Sequence, residues 1–109
     1  VELVTKLIGG NANIFFHKGY FPQTTLNLSV EKYALVHLDA DLYKPTLAAL
    51  QNFYPRLAGG GVIIVHDYNH TWGGVRKALV EFQAAIPENI TELPDWQGSV
   101  LIVRNKIST

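Results

Sequence analysis

The chain has 109 residues, 48% of them hydrophobic, with nine basic and nine acidic side chains and a formal net charge of zero. That is too apolar for intrinsic disorder, and the length suits one small domain. The balanced charge offers no basic stripe for nucleic acid or an anionic membrane surface, no apolar run reaches the roughly 18 residues of a membrane-spanning helix, and the absence of cysteine excludes disulfides, thiolate metal sites and a cysteine nucleophile.

In chain order, Leu3, Val4, Leu7 and Ile8 stand at helical spacing, and Gly9-Gly10-Asn11 closes that helix. Asn13 to Phe16 reads as a short strand. His17 to Thr25 is a loop with Gly19 and Pro22, and Leu26 to Lys32 is a loop or a weak helical turn. Ala34 to Leu38 is an apolar strand. Pro45 suits the first turn of the next helix, whose face carries Leu47, Leu50, Tyr54 and Leu57, with Pro55 disturbing its last turn. Ala58-Gly59-Gly60-Gly61 is a turn into strand Val62 to Val65. A second helix starts near Gly73-Gly74 with Val75, Leu79, Phe82 and Ile86 on one face, and Pro87 closes it. Ile90 to Leu93 and Ser99 to Arg104 form an antiparallel hairpin around Pro94-Asp95-Trp96-Gln97-Gly98.

Strands alternating with helices predict an α/β layered fold. The two continuous apolar runs, Ala34 to Leu38 and Val62 to Val65, are expected to be buried on both faces of a mostly parallel sheet, with the terminal hairpin as its antiparallel edge. Each run ends in acid: Asp39 and Asp41 after the first, Asp67 after the second. In open α/β sheets the crevice beyond the carboxyl ends of the strands is where ligands bind. Three carboxylates there make a hard oxygen site for Mg²⁺ or a similar cation, to which His66 and Asn69 are further candidate ligands. The competing reading is that strand-end Asp residues cap the following helices. Asp39-Ala40-Asp41 also matches the metal-binding D-x-D of nucleotide-sugar glycosyltransferases, a rival enzyme class.

His37, inside a strand, reads as a hydrogen-bonded core residue, and His17 and His70 as solvated loop residues. Trp72-Gly73-Gly74 opens the second helix, where Trp72 is placed to wall a pocket. Arg76 and Lys77 read as a solvated helix face.

The wider pattern is more specific. Phe16-His17-Lys18-Gly19-Tyr20-Phe21-Pro22-Gln23-Thr24 precedes Leu38-Asp39-Ala40-Asp41-Leu42-Tyr43-Lys44-Pro45-Thr46. There follow Phe53-Tyr54-Pro55-Arg56-Leu57, Gly60-Gly61-Val62-Ile63-Ile64, Asp67-Tyr68 and Trp72-Gly73-Gly74-Val75-Arg76-Lys77-Ala78. In this order and spacing the chain resembles the macrocin O-methyltransferase (TylF-type) family of S-adenosylmethionine-dependent sugar O-methyltransferases, from about Phe16 to Phe82.

The resemblance implies part of a class I methyltransferase, a Rossmann-like three-layer sandwich. It implies methyl transfer from S-adenosylmethionine to a sugar hydroxyl, assisted by Mg²⁺, in secondary metabolism. Asp39 matches the first metal carboxylate, Asp41 the proposed general base, and Asp67 the second Asp of the family's Asp-Asp-Tyr. His66 stands where that motif has its first Asp, so the metal set becomes Asp39, His66 and Asp67. Gly19 and Tyr20, with Asp39, fall where the family's donor lies, Gly19 allowing close backbone approach and Tyr20 or Phe21 packing on the adenine. An ordinary turn with two core aromatics is the alternative there.

A Gly-rich loop after a first strand, and an acid ending a second, are not found where such a fold needs them, because Gly9-Gly10-Asn11 follows a helix. Residues 1–109 are therefore expected to be the C-terminal part of a single methyltransferase domain, lacking its first two strands and inactive alone. An unpaired sheet edge predicts a homo-oligomer or a rearranged sheet. The expected partner is a small glycosylated acceptor, with no nucleic acid or membrane, and a cytoplasmic location fits the absence of cysteine.

Overall fold

Two parallel strands form the centre of the sheet: β1 (Tyr33–Leu38) and β2 (Leu57–Val65), with His37 opposite Ile64 and Leu38 opposite Val65. The computed structural model describes Leu3, Lys6 and residues 14–21, 23–25 and 32–106. β3 (Thr91–Glu92) and β4 (Val100–Val103) pair antiparallel, and β4 runs antiparallel along β2, giving the order β1-β2-β4-β3. β4 alone runs against the other strands, so the sheet is mostly parallel in direction with a terminal hairpin, as its sequence pattern predicts.

The link between β1 and β2 is helix α1 (Tyr43–Phe53) followed by a 3-10 turn at Tyr54–Arg56. Pro45 lies in the first turn of α1, where an N–H has no partner inside the helix. Pro55 lies in the 3-10 turn that ends the helical segment. Helix α2 (Gly74–Gln83) follows β2. Thr46, Ala49, Leu50 and Phe53 of α1, and Val75, Ala78, Leu79 and Phe82 of α2, are the buried stripes. They close on Val36, Leu38, Ile63, Val65, Val100 and Ile102, one side of the alternating strands. Leu50, Leu79 and Ile63 are fully buried, so truncating any of them to Ala costs about 2–5 kcal/mol.

Some expectations need correction. Burial on both faces does not hold among the described residues. Both helices lie on one side, and on the other side Leu35 is 59% and Val103 50% exposed. The described residues thus supply the sheet and one helical layer. Residues 14–16 form no strand; Phe15 is 78% exposed, and no described strand lies beside it to complete a ladder. Leu57 is not helical but starts β2, and residues 58–61 continue that strand rather than turn. They do so because Gly60 N–H donates to the Arg104 carbonyl (2.8 Å) and Arg104 N–H to that of Gly61 (2.9 Å). The register jumps from Tyr33↔Leu57 to Leu35↔Val62, so the extra residues bulge. Gly61 suits that bulge, since a Cβ would meet the Ala58 carbonyl oxygen at 2.8 Å. Of the N-terminal helix, Leu3 and Lys6 are helical, and its other residues lie outside the described set, as do residues 26–31. The 17–25 loop contains a 3-10 turn at Gln23–Thr25.

At the amino end of β2 a polar latch closes the domain. Tyr54 Oη donates to Glu88 (2.5 Å), and Asn105 N–H donates to the same carboxylate (3.0 Å). One Arg104 nitrogen donates to the carbonyls of Tyr54, Pro55 and Leu57 at 3.0, 3.1 and 2.7 Å.

Candidate active site

β1 ends at Leu38 and β2 at Val65, and the chain turns sharply after each. Leu42 N–H closes on the Ala40 carbonyl (2.8 Å), which puts Asp41 at φ 63°. Asp67 sits at φ 65°. Left-handed backbone costs a non-glycine residue on the order of 1 kcal/mol, and such strain gathers at functional sites. Both turns aim their side chains at one point. One carboxylate oxygen from each of Asp39, Asp41 and Asp67 lies within 4.8 Å of the other two.

Capping does not account for them. The N-cap of α1 is Leu42 and that of α2 is Gly73, and neither helix start receives a side-chain hydrogen bond. The three acids face one another instead. Burial pushes the Asp67 carboxyl above its ordinary range, and a hydrogen bond with Asp41 and the charges of Asp41 and Asp39 push it further, against the opposing pull of His70. Three all-oxygen donors that repel one another fit a hard divalent cation, which would relieve that repulsion.

His66 is turned away from this cluster. Its Nε2 lies 2.5 Å from His37 Nε2, and its Nδ1 lies 2.9 Å from Ser99 Oγ. Ser99 in turn donates to Asp95 from both Oγ and N, each at 2.6 Å. With both ring nitrogens occupied, His66 ties β1, β2 and the hairpin together, and the metal-ligating role expected of it is not the role of its side chain in this structure. His37 is hydrogen-bonded, as expected, but on the exposed face of β1 rather than in the core.

Two cavities adjoin the carboxylates. One, of about 450 Å³, is lined by Phe21, His37, Leu38, Asp39, Leu42 and Pro45 among others. Phe21 belongs to it; Gly19 and Tyr20 do not line it, and Tyr20 is 89% exposed. The other, of about 400 Å³, is lined by Asp41, Asp67, His70, Trp72, Trp96 and Gln97. The carboxylate cluster thus stands where the two cavities approach each other. Trp96 and Gln97 are the site residues that sequence reasoning missed; the available signal was an indole at the tip of a predicted hairpin next to an acidic strand end.

The family model for macrocin-O-methyltransferase (TylF) matches residues 7–102. The chain belongs to the macrocin O-methyltransferase (TylF) family. It is similar to 8-demethyl-8-(2,3-dimethoxy-alpha-L-rhamnosyl)-tetracenomycin-C 4'-O-methyltransferase of Streptomyces olivaceus, with 42% identity over 53 residues, covering 49% of this chain and 20% of that protein. It is also similar to mycinamicin III 3''-O-methyltransferase of Micromonospora griseorubida, with 38% identity over 85 residues, 76% of this chain and 32% of that protein.

Among solved structures, the O-methyltransferase NovP superposes with a TM-score of 0.82 at 25% identity, covering 96% of this chain and 45% of NovP. CalS11, a TDP-rhamnose 3'-O-methyltransferase of calicheamicin biosynthesis, gives 0.55 at 25% identity, covering 66% and 32%. The fold is therefore that of the TylF methyltransferases, and these matches span less than half the length of each relative. The glycosyltransferase reading of Asp39-Ala40-Asp41 finds no support among them. Among the described residues, no helix is long and apolar enough to cross a membrane.

Proposed function

We propose that the protein to which these 109 residues belong transfers a methyl group from S-adenosylmethionine to a sugar hydroxyl, assisted by a divalent cation, with Mg²⁺ the first candidate. The observation that carries this reading is the convergence of Asp39, Asp41 and Asp67 within 4.8 Å at two strand ends of a TylF-family chain. Asp39 and Asp67 are the ligands in this reading, and Asp41 is the general base. The cation, when bound, supplies positive charge that lowers the pKa of a hydroxyl, which is otherwise a poor nucleophile near neutral pH.

Asp41 accepts the hydroxyl proton as the new C–O bond forms and the C–S bond of the donor breaks. Asp39 lines the more apolar cavity with Phe21, where part of the donor would lie; the acceptor would enter the cavity shared by Asp41 and Asp67. The walls of both cavities hold the reacting atoms in line, where much of the barrier reduction for a reactive sulfonium donor arises. Gly19 and Tyr20 remain candidates for the adenine edge only if their loop closes over the donor.

Residues 1–109 are read as the C-terminal part of one methyltransferase domain, with the first two strands supplied upstream. The edge of β1, which no described strand pairs, and the sheet face bearing Leu35 and Val103, support this reading. For the 109 residues alone, the same edge makes self-association the expected outcome.

Calorimetric titration of S-adenosylhomocysteine with Mg²⁺ into the intact protein and into residues 1–109 tests the reading. Binding by the intact protein alone supports it. Binding by neither overturns the methyltransferase assignment and favours a fold retained without its chemistry.

A further inference from the structure

The chain has two tryptophans, and both line the cavity that Asp41 and Asp67 share. Trp72 is 74% and Trp96 89% exposed, while the core contains neither. An indole is among the largest apolar payloads a chain can bury, so holding two of them in solvent beside one pocket forgoes considerable stabilisation.

Each indole is carried on a braced turn. On the Trp72 side, His70 N–H donates to the Asp67 carbonyl (3.2 Å), Gly73 N–H to that of His70 (3.0 Å), and Trp72 N–H to His70 Nδ1 (3.2 Å). The His70 and Trp72 rings lie 4.7 Å apart. On the Trp96 side, Asp95 holds Ser99 through two bonds of 2.6 Å. The hairpin tip is strapped to the Asp67 turn by Tyr68 N–H to the Gly98 carbonyl (2.8 Å) and Asn69 N–H to that of Gln97 (2.7 Å). Gln97 is held at φ 68° to make this fit. The backbone that carries Trp96 is therefore fixed relative to Asp67, and both indoles flank the carboxylates.

We infer that Trp72 and Trp96 are the specificity-determining walls of an acceptor subsite for a neutral glycoside, and that they meet the apolar face of its pyranose ring. An indole face suits the C–H face of a sugar, while Asp41, His70 and Gln97 offer hydrogen-bond partners to hydroxyls at the ring edge. The charge selects among sugars. Among the described residues the lining contains two carboxylates and no Lys or Arg, and nearby Arg76 is engaged by Asn69 and packs on the Tyr68 ring. In the cation-free protein a diphosphate entering here would face negative charge without a cationic partner among these residues, so the lining itself disfavours a nucleotide-activated sugar relative to an uncharged glycoside. The inference rests on the sugar methyltransferase reading for the role of Asp41, and its binding part can fail separately.

The test uses the intact protein labelled with 5-fluorotryptophan, with the Trp72 and Trp96 signals assigned from the Trp72→Phe and Trp96→Phe variants. Methyl α-L-rhamnopyranoside and TDP-rhamnose are titrated, each with and without Mg²⁺. The expected result is that the neutral glycoside moves both ¹⁹F signals, and that Trp96→Ala weakens its binding about tenfold while Trp96→Phe restores most of it. In the absence of Mg²⁺, TDP-rhamnose is expected to bind more weakly than the neutral probe.

Unmoved signals in a protein that still methylates a glycoside would overturn the indole walls. Tighter metal-free binding of TDP-rhamnose would overturn the charge selection. Shifted signals without any methyl transfer would leave the walls standing and remove the methyltransferase reading instead.

Discussion

At the amino end of β2, Tyr54, Glu88, Arg104 and the Asn105 N–H satisfy one another; at its carboxyl end, Asp39, Asp41 and Asp67 crowd together without a counter-charge among them. The same strand thus joins a latch to a site. In the latch, burial alone would raise the Glu88 carboxyl, but hydrogen bonds from Tyr54 and Asn105 and the Arg104 charge outweigh it and hold the group below its ordinary range. At the site, burial and like charge act together and push Asp67 up. The two carboxyls thus shift in opposite directions, Glu88 held ionised by donors that stabilise the fold and Asp67 crowded by like charge beside a cavity.

The largest effect expected is on activity. Asp41→Asn in the intact protein should lower methyl transfer about 10²–10⁴-fold, the usual worth of a general base, without lowering the melting temperature. Rates of methyl incorporation read beside thermal melts would check it, and an active variant would break the distinction between the two ends.

Next comes the latch. Arg104→Ala orphans three carbonyl acceptors and should cost about 2–3 kcal/mol in denaturant unfolding. Cation binding at the far end should be unchanged, which calorimetry on the same variant would show.

Glu88→Gln should cost less, about 1–2 kcal/mol at neutral pH. The sign of its pH dependence follows from the lowered carboxyl. The Glu88 contribution is complete above the unfolded-state pKa and is lost as pH falls through the lower folded one. Unfolding free energies measured over an acid series should therefore fall less steeply in Glu88→Gln than in the parent. Tyr54, pushed up to about 12 chiefly by burial and then by Glu88, marks the alkaline limit. Its neutral form is favoured by the fold, and that contribution disappears as pH rises through about 12.

The smallest expected effect has the opposite sign. Asp67→Asn removes one of three crowded charges and should stabilise the cation-free protein by a few tenths to about 1 kcal/mol. A melting temperature that falls instead would mean that Asp67 is part of the scaffold.

The sequence made the strand ends legible because an apolar run followed by acid is a local pattern, and Pro45 and the Val75, Leu79, Phe82 spacing did the same for the helices. What it concealed was decided by distant partners. Residues 58–61 look like a glycine turn until Arg104 supplies a ladder. Asn13 to Phe16 looks like a strand, yet its described residues 14–16 pair with no described neighbour. Leu35 is apolar enough for a core, yet no described helix covers its face. His66 occupies a ligand position in the family motif, but His37 and Ser99, 29 and 33 residues away, claim both its nitrogens. Trp96 enters the site only because the hairpin is strapped to the Asp67 turn.

Calorimetric titration of Mg²⁺ into the intact protein and its Asp67→Asn variant tests the central claim most directly. Saturable binding in the parent that is lost in the variant is the predicted result. No binding in either, or equal binding in both, would contradict the assignment of the carboxylate cluster as a cation site.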